Sequence, residues 1–138
     1  MTLSRRTFVS TVLCSGAGVA YAAEKGGGGN AGSDSKPVFV VAEIEVKPGK
    51  RDEFVAIFTK NVPNVLAEDG CIFYEPVIDT VTDLAAQAPR RDNVMTVMEK
   101  WSSLDALRAH LQAPHMKTYG EAVKDLVAGV TIRVMESV

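Results

Sequence analysis

The sequence predicts an α+β domain of the ferredoxin-like type, in which split β-α-β units form an antiparallel sheet with helices on one face. Three observations support this fold class. Four segments alternate apolar and polar residues, the segments after the first and third carry apolar residues at three- and four-residue steps, and the resulting order is β-α-β-β-α-β. The chain has 138 residues, of which 46% are hydrophobic and 23% are charged, as is ordinary for one globular domain.

The N-terminal 36 residues are predicted to lie outside that domain. Residues 1–22 have the features of a twin-arginine-type signal peptide, because Arg5-Arg6 stand in a Ser-Arg-Arg-Thr-Phe-Val frame that precedes an apolar stretch and small residues. The alternative is a disordered basic tail with a short buried helix. Residues 23–36 contain four consecutive glycines and are expected to be a flexible linker. The folded domain is therefore 37–138, and we expect it to be periplasmic or secreted.

The first half of the domain contains a strand, a helix and a second strand. Residues 37–46 alternate, and Pro48-Gly49 ends this strand. The apolar period changes to that of a helix between Lys50 and Leu66, with a kink or interruption expected at Pro63, which lacks a backbone donor. Cys71 to Ile78 is predicted as the second strand. One face of the first strand is expected to enter the core: Val38, Val40, Ala42, Ile44 and Val46.

The second half repeats the pattern with a divided helical part. Residues 79–93 are predicted as a surface loop and 94–101 as the third strand. Ser102 is expected to open a helix, with Asp105 completing an approximate capping box. Pro114 suits the first turn of another helical segment, and residues 129–135 form the closing strand.

Several strands are predicted to carry apolar residues on their second face as well. A monomer would expose this surface to water, and large exposed apolar patches mark interfaces. We therefore expect a homodimer that packs sheet against sheet. The residues assigned to this face are Phe39, Val41, Phe73, Met95 and Val97.

Charge and composition exclude several classes of function. The net charge of −2, without a stripe of Lys and Arg, argues against nucleic-acid binding. No apolar run reaches the roughly 18 residues of a membrane-spanning helix, so we expect no stable membrane insertion after signal removal. The domain has one cysteine and two histidines, in a spacing that matches no zinc site, so we expect no metal.

Three segments resemble the antibiotic biosynthesis monooxygenase family, and within it the bacterial quinol monooxygenases. They are Glu-Asp-Gly-Cys-Ile-Phe-Tyr at 68–74, Met-Glu-Lys-Trp at 98–101 and Ala-His-Leu-Gln-Ala-Pro-His-Met at 109–116. The best match extends over 110–124, and the resemblance covers essentially all of 37–138. It implies a dimeric ferredoxin-like α/β barrel that oxidises electron-rich phenols or quinols with O2 and has no bound metal, flavin or haem.

Such a reaction requires an apolar slot, a base, and hydrogen-bond donors for the developing oxyanion. Histidine is the natural base near neutral pH. The domain has two histidines, His110 and His115, at either end of one connection between helices, and we expect them to converge on a cavity between the helices and the sheet. The alternative for each histidine is a capping or rim residue that is hydrogen-bonded to backbone.

Two tyrosines and a tryptophan are candidates to bind the substrate. Tyr119 is four residues after His115, so the two share a helix face. Tyr74 could donate a hydrogen bond in the pocket or be a core aromatic residue with its hydroxyl satisfied. Trp101 could form a wall of the pocket or pack at the corner between strand and helix.

Glu99 is a further candidate, because a carboxylate among apolar neighbours requires a partner. It could orient a histidine, although an ion pair with Arg133 on a neighbouring strand is the stronger expectation.

The function predicted from the sequence is a cofactor-independent monooxygenase that oxidises a quinol or related polyphenol with O2. Its partners would be a small aromatic substrate, O2 and a second copy of the chain. One alternative is a non-catalytic dimeric barrel that binds a small aromatic or haem-like ligand. Another is a different cofactor-free reaction on the same fold, such as isomerisation or dehalogenation.

Overall fold

The computed structural model describes residues 36–138. The predicted signal peptide at 1–22, and all of the predicted linker except Lys36, lie outside the described residues. The order of elements is β-α-β-β-α-α-β, which confirms the predicted α+β class and the division of the second helical part. The elements are β1 (Val38–Val46), α1 (Arg51–Leu66), β2 (Cys71–Val77), β3 (Val94–Trp101), α2 (Leu104–Gln112), α3 (Pro114–Val123) and β4 (Val127–Glu136).

The four strands form one antiparallel sheet in the order β2-β3-β1-β4. β1 is therefore an interior strand, with β3 on one side and β4 on the other. Tyr74 lies opposite Glu99 in the pairing of β2 with β3, and Trp101 follows two residues later on the same face. This register brings three of the predicted site residues together on the face that the helices cover.

The core lies between that inner face of the sheet and the helices. The five residues of β1 that alternation assigned to the core are all buried, which confirms this prediction. Phe54, Phe58 and Val65 extend the core from α1, and Leu107 extends it from α2. Trp101 is completely buried at the end of β3.

The prediction that Met95 and Val97 lie on the exposed second face of the sheet was wrong. Met95 and Val97 are each 1% exposed and belong to the core, because the alternation of β3 places them on the same face as Trp101. Met98, which alternates with them, is 47% exposed on the outer face. Four large apolar side chains are exposed there: Phe39, Phe73, Met98 and Met135.

α1 continues through Pro63 to Leu66, so the interruption allowed for in the sequence analysis is not found. The proline removes one backbone donor only, and the helix ends within one further turn. The backbone N–H of Ala67 donates to the carbonyl of Pro63 at 3.2 Å and closes that turn.

The start of α2 lies one residue later than predicted. Ser103, rather than Ser102, is the N-cap, and its Oγ accepts a hydrogen bond from the backbone N–H of Ala106 at 3.1 Å. The backbone N–H of Ser102 instead donates to the carbonyl of Gly70 at 2.8 Å. This bond joins the turn before β2 to the start of α2.

Residues 79–93 form the predicted surface loop, and Arg91 anchors it. Its Nε lies 2.9 Å from Oδ2 of Asp79, and its Nη1 lies 2.6 Å from Oε1 of Glu43 on β1. The Arg91 hydrogen bonds lower the pKa of Asp79 to about 2. Within residues 36–138, no helix has both the length and the apolar character needed to cross a membrane.

Candidate functional site

The two histidines meet at one carboxylate. Nδ1 of His110 lies 2.8 Å from Oε1 of Glu68, and Nε2 of His115 lies 2.8 Å from the same oxygen. All three side chains are buried or partly buried, and Glu68 is 15% exposed. The structure therefore brings the predicted pair of histidines together, and it adds an acid that the sequence analysis did not assign to the site.

Glu68 reaches the histidines because of the tight turn between α1 and β2. Its backbone N–H donates to the carbonyl of Val65 at 3.0 Å, and its carbonyl accepts from the N–H of Cys71 at 3.2 Å. Gly70 completes the turn with a φ of +84°. One signal could have identified Glu68: an acid just after a helix C-terminus is unfavourable toward the helix dipole, so its side chain needs another partner.

His110 is an interior residue. It is 2% exposed, and its ring lies 4.7 Å from the ring of Trp101 and 5.7 Å from that of Tyr74, measured between centroids. Burial lowers the pKa of His110, although the neighbouring Glu68 acts in the opposite direction. The ring is therefore neutral at neutral pH and donates from Nδ1 to the carboxylate of Glu68.

His115 lies at the first turn of α3, and its side chain is 25% exposed. Its Nδ1 lies 3.1 Å from Oδ1 of Asn61 on α1. The amide of Asn61 is oriented by two bonds, since its Nδ2 donates to the sulfur of Met116 at 3.3 Å and its Oδ1 accepts from Nδ2 of Asn64 at 3.0 Å. An oxygen thus faces Nδ1, which must donate. Nε2 is buried, and within the described residues it has no aligned hydrogen bond despite its closeness to Glu68.

The two candidate tyrosines both contact the ring of Phe58. The ring of Tyr74 stacks on Phe58 at 5.9 Å with an interplanar angle of 5°, and Tyr119 meets the same ring edge-on at 5.6 Å. Burial and then the charge of Glu99 raise the pKa of Tyr74 well above its usual range. Tyr74 therefore stays a protonated phenol at any physiological pH and can act as a hydrogen-bond donor.

The expectation that Glu99 forms an ion pair with Arg133 was wrong. Oε2 of Glu99 accepts a hydrogen bond from Nε1 of Trp101 at 2.8 Å, and this is its partner rather than a histidine. Arg133 pairs with Val41 and is exposed on the outer face of the sheet, whereas Glu99 points toward the helices and is 7% exposed. Burial raises the pKa of Glu99 to about 7, against the effect of Trp101 and with a smaller contribution from Glu68.

Aromatic side chains occupy the space between the histidines and the sheet. Two open clefts lie elsewhere on the described surface, one of about 550 Å³ between α1 and β2 and one of about 390 Å³ at the base of the 79–93 loop. Neither is lined by a histidine, so neither is the cavity that the sequence analysis expected beside the imidazoles. Among residues 36–138, no group of three His, Cys, Asp or Glu side chains is placed to hold a metal ion.

Solved structures share this fold. A conserved protein from Methanosarcina mazei Go1 superposes with a TM-score of 0.64 at 22% identity, over 75% of this chain and 95% of that one. A protein from Caulobacter crescentus CB15, described as a "putative antibiotic biosynthesis monooxygenase", superposes with a TM-score of 0.64 at 28% identity, over 77% and 93% of the two chains. The first likeness shows the fold alone.

Sequence comparison gives the family. The chain is 41% identical over 99 residues to the "Probable quinol monooxygenase YgiN" of Escherichia coli strain K12, covering 70% of this chain and 94% of that protein. It is also 32% identical over 92 residues to an uncharacterised protein of Synechocystis. The family model for antibiotic biosynthesis monooxygenase matches residues 37–122. With more than half of its length matched, this chain belongs to the antibiotic biosynthesis monooxygenase family.

Proposed function

We propose that this protein is a cofactor-independent monooxygenase that oxidises a quinol or related polyphenol with O2. The observation that carries the proposal is the meeting of two imidazoles and a carboxylate, His110, His115 and Glu68, beside the buried aromatic side chains of the sheet. A base next to an aromatic surface is what deprotonation of a phenolic substrate requires. The similarity to a protein named a probable quinol monooxygenase supports the same substrate class.

The proposed reaction converts a quinol and O2 into a hydroxyquinone and water. The base removes one hydroxyl proton, and the resulting anion transfers an electron to O2. The two radicals combine at a free ring carbon, and the peroxide anion takes the proton back from the base to give a hydroperoxide. Loss of water then leaves a carbonyl that tautomerises to the hydroxyquinone. One oxygen atom of O2 enters the ring and the other leaves as water, so the substrate supplies all the electrons.

The surrounding residues have roles that suit this sequence of steps. Tyr74 and Tyr119 would donate hydrogen bonds to the developing oxyanion or position the ring. Trp101 would form a wall of the site, and Glu99 would hold the indole in place through the bond to Nε1. The substrate must open a space among these side chains, because the aromatic residues of the site are packed together.

The proposal extends to assembly and location. The exposed apolar residues on the outer face of the sheet suit a homodimer, in which two sheets pack together into the α/β barrel. The N-terminal sequence suits export as a folded protein to the periplasm or beyond.

An oxygen electrode tests the proposed reaction directly. The purified protein, treated with a chelator, is mixed with a reduced naphthoquinone that has a free ring carbon. We expect uptake of one O2 per quinol, and with ¹⁸O2 we expect one labelled oxygen in the hydroxyquinone. Replacing both histidines, His110→Ala with His115→Ala, should remove this activity, whereas Lys117→Ala on the exposed side of α3 should not change it.

Three outcomes would contradict the proposal. Full activity in the double variant, with its secondary structure intact, would rule out the histidines as the base. Turnover without O2 would indicate a different reaction, such as an isomerisation. A haem absorption band in the protein as purified, without quinol oxidation, would indicate a ligand-binding protein.

A further inference from the structure

The two histidines of the site have different surroundings, because the side chain of His110 is 3% exposed and that of His115 is 25% exposed. His110 is enclosed by the rings of Trp101 and Tyr74 and donates its Nδ1 proton to Glu68. At 2% exposure it is among the most buried polar residues of residues 36–138. The contact of its Nδ1 with Oε1 of Glu68 suits a residue that holds Glu68 in place.

His115 is oriented so that its lone pair is on Nε2. Its Nδ1 faces the amide oxygen of Asn61 at 3.1 Å, and the bonds of Asn61 to Met116 and Asn64 fix which atom of the amide is turned toward the ring. An imidazole that donates from Nδ1 is a proton acceptor at Nε2 when it is neutral. The contact with Asn61 therefore selects the tautomer of His115 that carries its proton on Nδ1.

Glu68 lies beside that ring, with its Oε1 close to Nε2. Its Oε1 is 2.8 Å from Nε2 but is not aligned for a hydrogen bond, and Nε2 is buried, so the substrate must open a space to reach it. Once Nε2 binds a proton, the positive ring lies against a carboxylate in a partly buried setting, where attraction between opposite charges is strong. His110 prevents the carboxylate from turning away, because it binds the same oxygen at 2.8 Å.

We propose that Nε2 of His115 is the base of the reaction and that Glu68 is a positioning residue that stabilises the imidazolium, with His110 and Asn61 fixing the geometry. In this step a hydroxyl O–H bond of the substrate breaks and an N–H bond forms at Nε2. The electron pair stays on the substrate oxygen. The inference rests on the proposed function for the identity of the substrate, but the arrangement of the four side chains can be tested without it.

The kinetic test compares four single variants with the reduced naphthoquinone as substrate. Glu68→Gln keeps the size of the side chain and an oxygen for His110, but it removes the charge. Its kcat should fall roughly 10- to 100-fold with little change in KM. His115→Gln should lose roughly 100-fold or more. His110→Asn, which keeps a donor near the position of Nδ1, should stay within about tenfold of the wild type. Glu121→Gln, an exposed acid on α3, is the matched control and should be unchanged.

The spectroscopic test uses ¹⁵N-labelled histidine in the whole protein without substrate. The neutral ring of His115 should show a protonated Nδ1 and an unprotonated Nε2. Asn61→Leu should lose this preference, and Asn61→Asp, which keeps an acceptor oxygen, should restore it. The test reports the geometry even if no quinol is ever oxidised.

The outcomes separate the two proposals. A Glu68→Gln variant with wild-type kcat, or a His115 ring protonated at Nε2 and bare at Nδ1, overturns the assignment of base and positioning residue. A protein that oxidises no quinol but shows the expected tautomer overturns the proposed function and supports the positioning geometry. Both results in the expected direction support the assignment as a whole.

Discussion

Glu99 and His110 are two buried titratable side chains with opposite effects on stability. For Glu99 the folded-state pKa of about 7 lies above the ordinary value of 4.5, so the folded state holds its proton more tightly than the unfolded state. The resulting stabilisation is complete below pH 4.5 and is lost as the pH rises through 7. For His110 the pKa is lowered from 6.5, so its contribution is present above that pH and is lost as the pH falls.

Glu99→Gln should isolate the first effect. The amide cannot ionise but can still accept the indole N–H of Trp101, so the variant should lack the loss of stability that ionisation of Glu99 causes. The free energy of unfolding of the variant relative to the wild type should rise by up to about 3 kcal/mol between pH 4.5 and pH 8. Urea unfolding at several pH values measures this difference.

The control for that measurement is Asp83→Asn in the exposed 79–93 loop, for which the same comparison should show no such rise between pH 4.5 and pH 8. A wild type and a Glu99→Gln variant with the same pH dependence would show that Glu99 ionises normally. The opposing contribution of His110 is present in both proteins and cancels in their difference.

At the level of elements, the turn between α1 and β2 determines where Glu68 lies. Gly70 has a φ of +84°, and a Cβ added there would lie 2.6 Å from the Cβ of Ala106 and from Oγ of Ser102. Both the backbone conformation and the close approach of α2 therefore require glycine. The turn cannot change without moving α2, which carries His110.

Gly70→Ala should lower the free energy of unfolding by about 2–4 kcal/mol, from the strained φ and the overlap with α2. Gly120→Ala is the matched control, because it lies within α3 with no atom near its added Cβ. It should be neutral or stabilising by up to about 1 kcal/mol. Thermal and urea unfolding of both variants provide the comparison, and an unaffected Gly70→Ala protein would mean that the turn tolerates rearrangement.

The predictable part of the fold was the part with strong periodicity. Alternation identified the buried face of β1, and the three- and four-residue steps identified α1, because both patterns follow from which side chains leave water. The face of β3 was assigned wrongly for Met95 and Val97, since the buried face of this strand includes the charged Glu99 and the outer face includes the apolar Met98. The continuation of α1 through Pro63 depends on local backbone bonding that composition does not reveal.

The site was predictable only in part for a similar reason. The two histidines were identified because they are the only imidazoles of the domain and lie five residues apart. Glu68 precedes them by more than 40 residues, and its contact with them exists only after the turn, α2 and α3 have packed. The partner of Glu99 was likewise missed because it is a neighbour on the same strand, Trp101, rather than an opposite charge.

At the level of the whole molecule, the outer face of the sheet carries exposed apolar side chains. Phe39 and Phe73 both lie opposite Lys100 in the sheet register, and Met135 lies opposite Phe39. The three apolar side chains, from β2, β1 and β4, thus form a row with Lys100 of β3, and the ammonium of Lys100 lies 4.9 Å from the centre of the Phe39 ring. A surface of this kind is typical of an interface.

Met98→Glu should convert a dimer into a monomer, because two copies would place charges within an apolar contact. Light scattering after size-exclusion chromatography gives the mass directly. Val81→Glu, in the exposed 79–93 loop, is the control and should leave the mass unchanged. A wild type that is monomeric at micromolar concentration, or a Met98→Glu variant that stays dimeric, would contradict a sheet-to-sheet dimer.

The interior position of β1 affects how the protein folds during synthesis. Of the four strands, β1 is synthesised first, and in the sheet it lies between β3 and β4. Its backbone is therefore fully paired only after β4, the last strand, has been synthesised. Chains dominated by pairings between distant segments fold slowly, and their unpaired strand edges and apolar surfaces are exposed until folding is complete. During synthesis, the apolar residues of β1 therefore stay exposed until β3 and β4 pair with it. Rapid completion of the sheet, or a chaperone, is needed to prevent their aggregation.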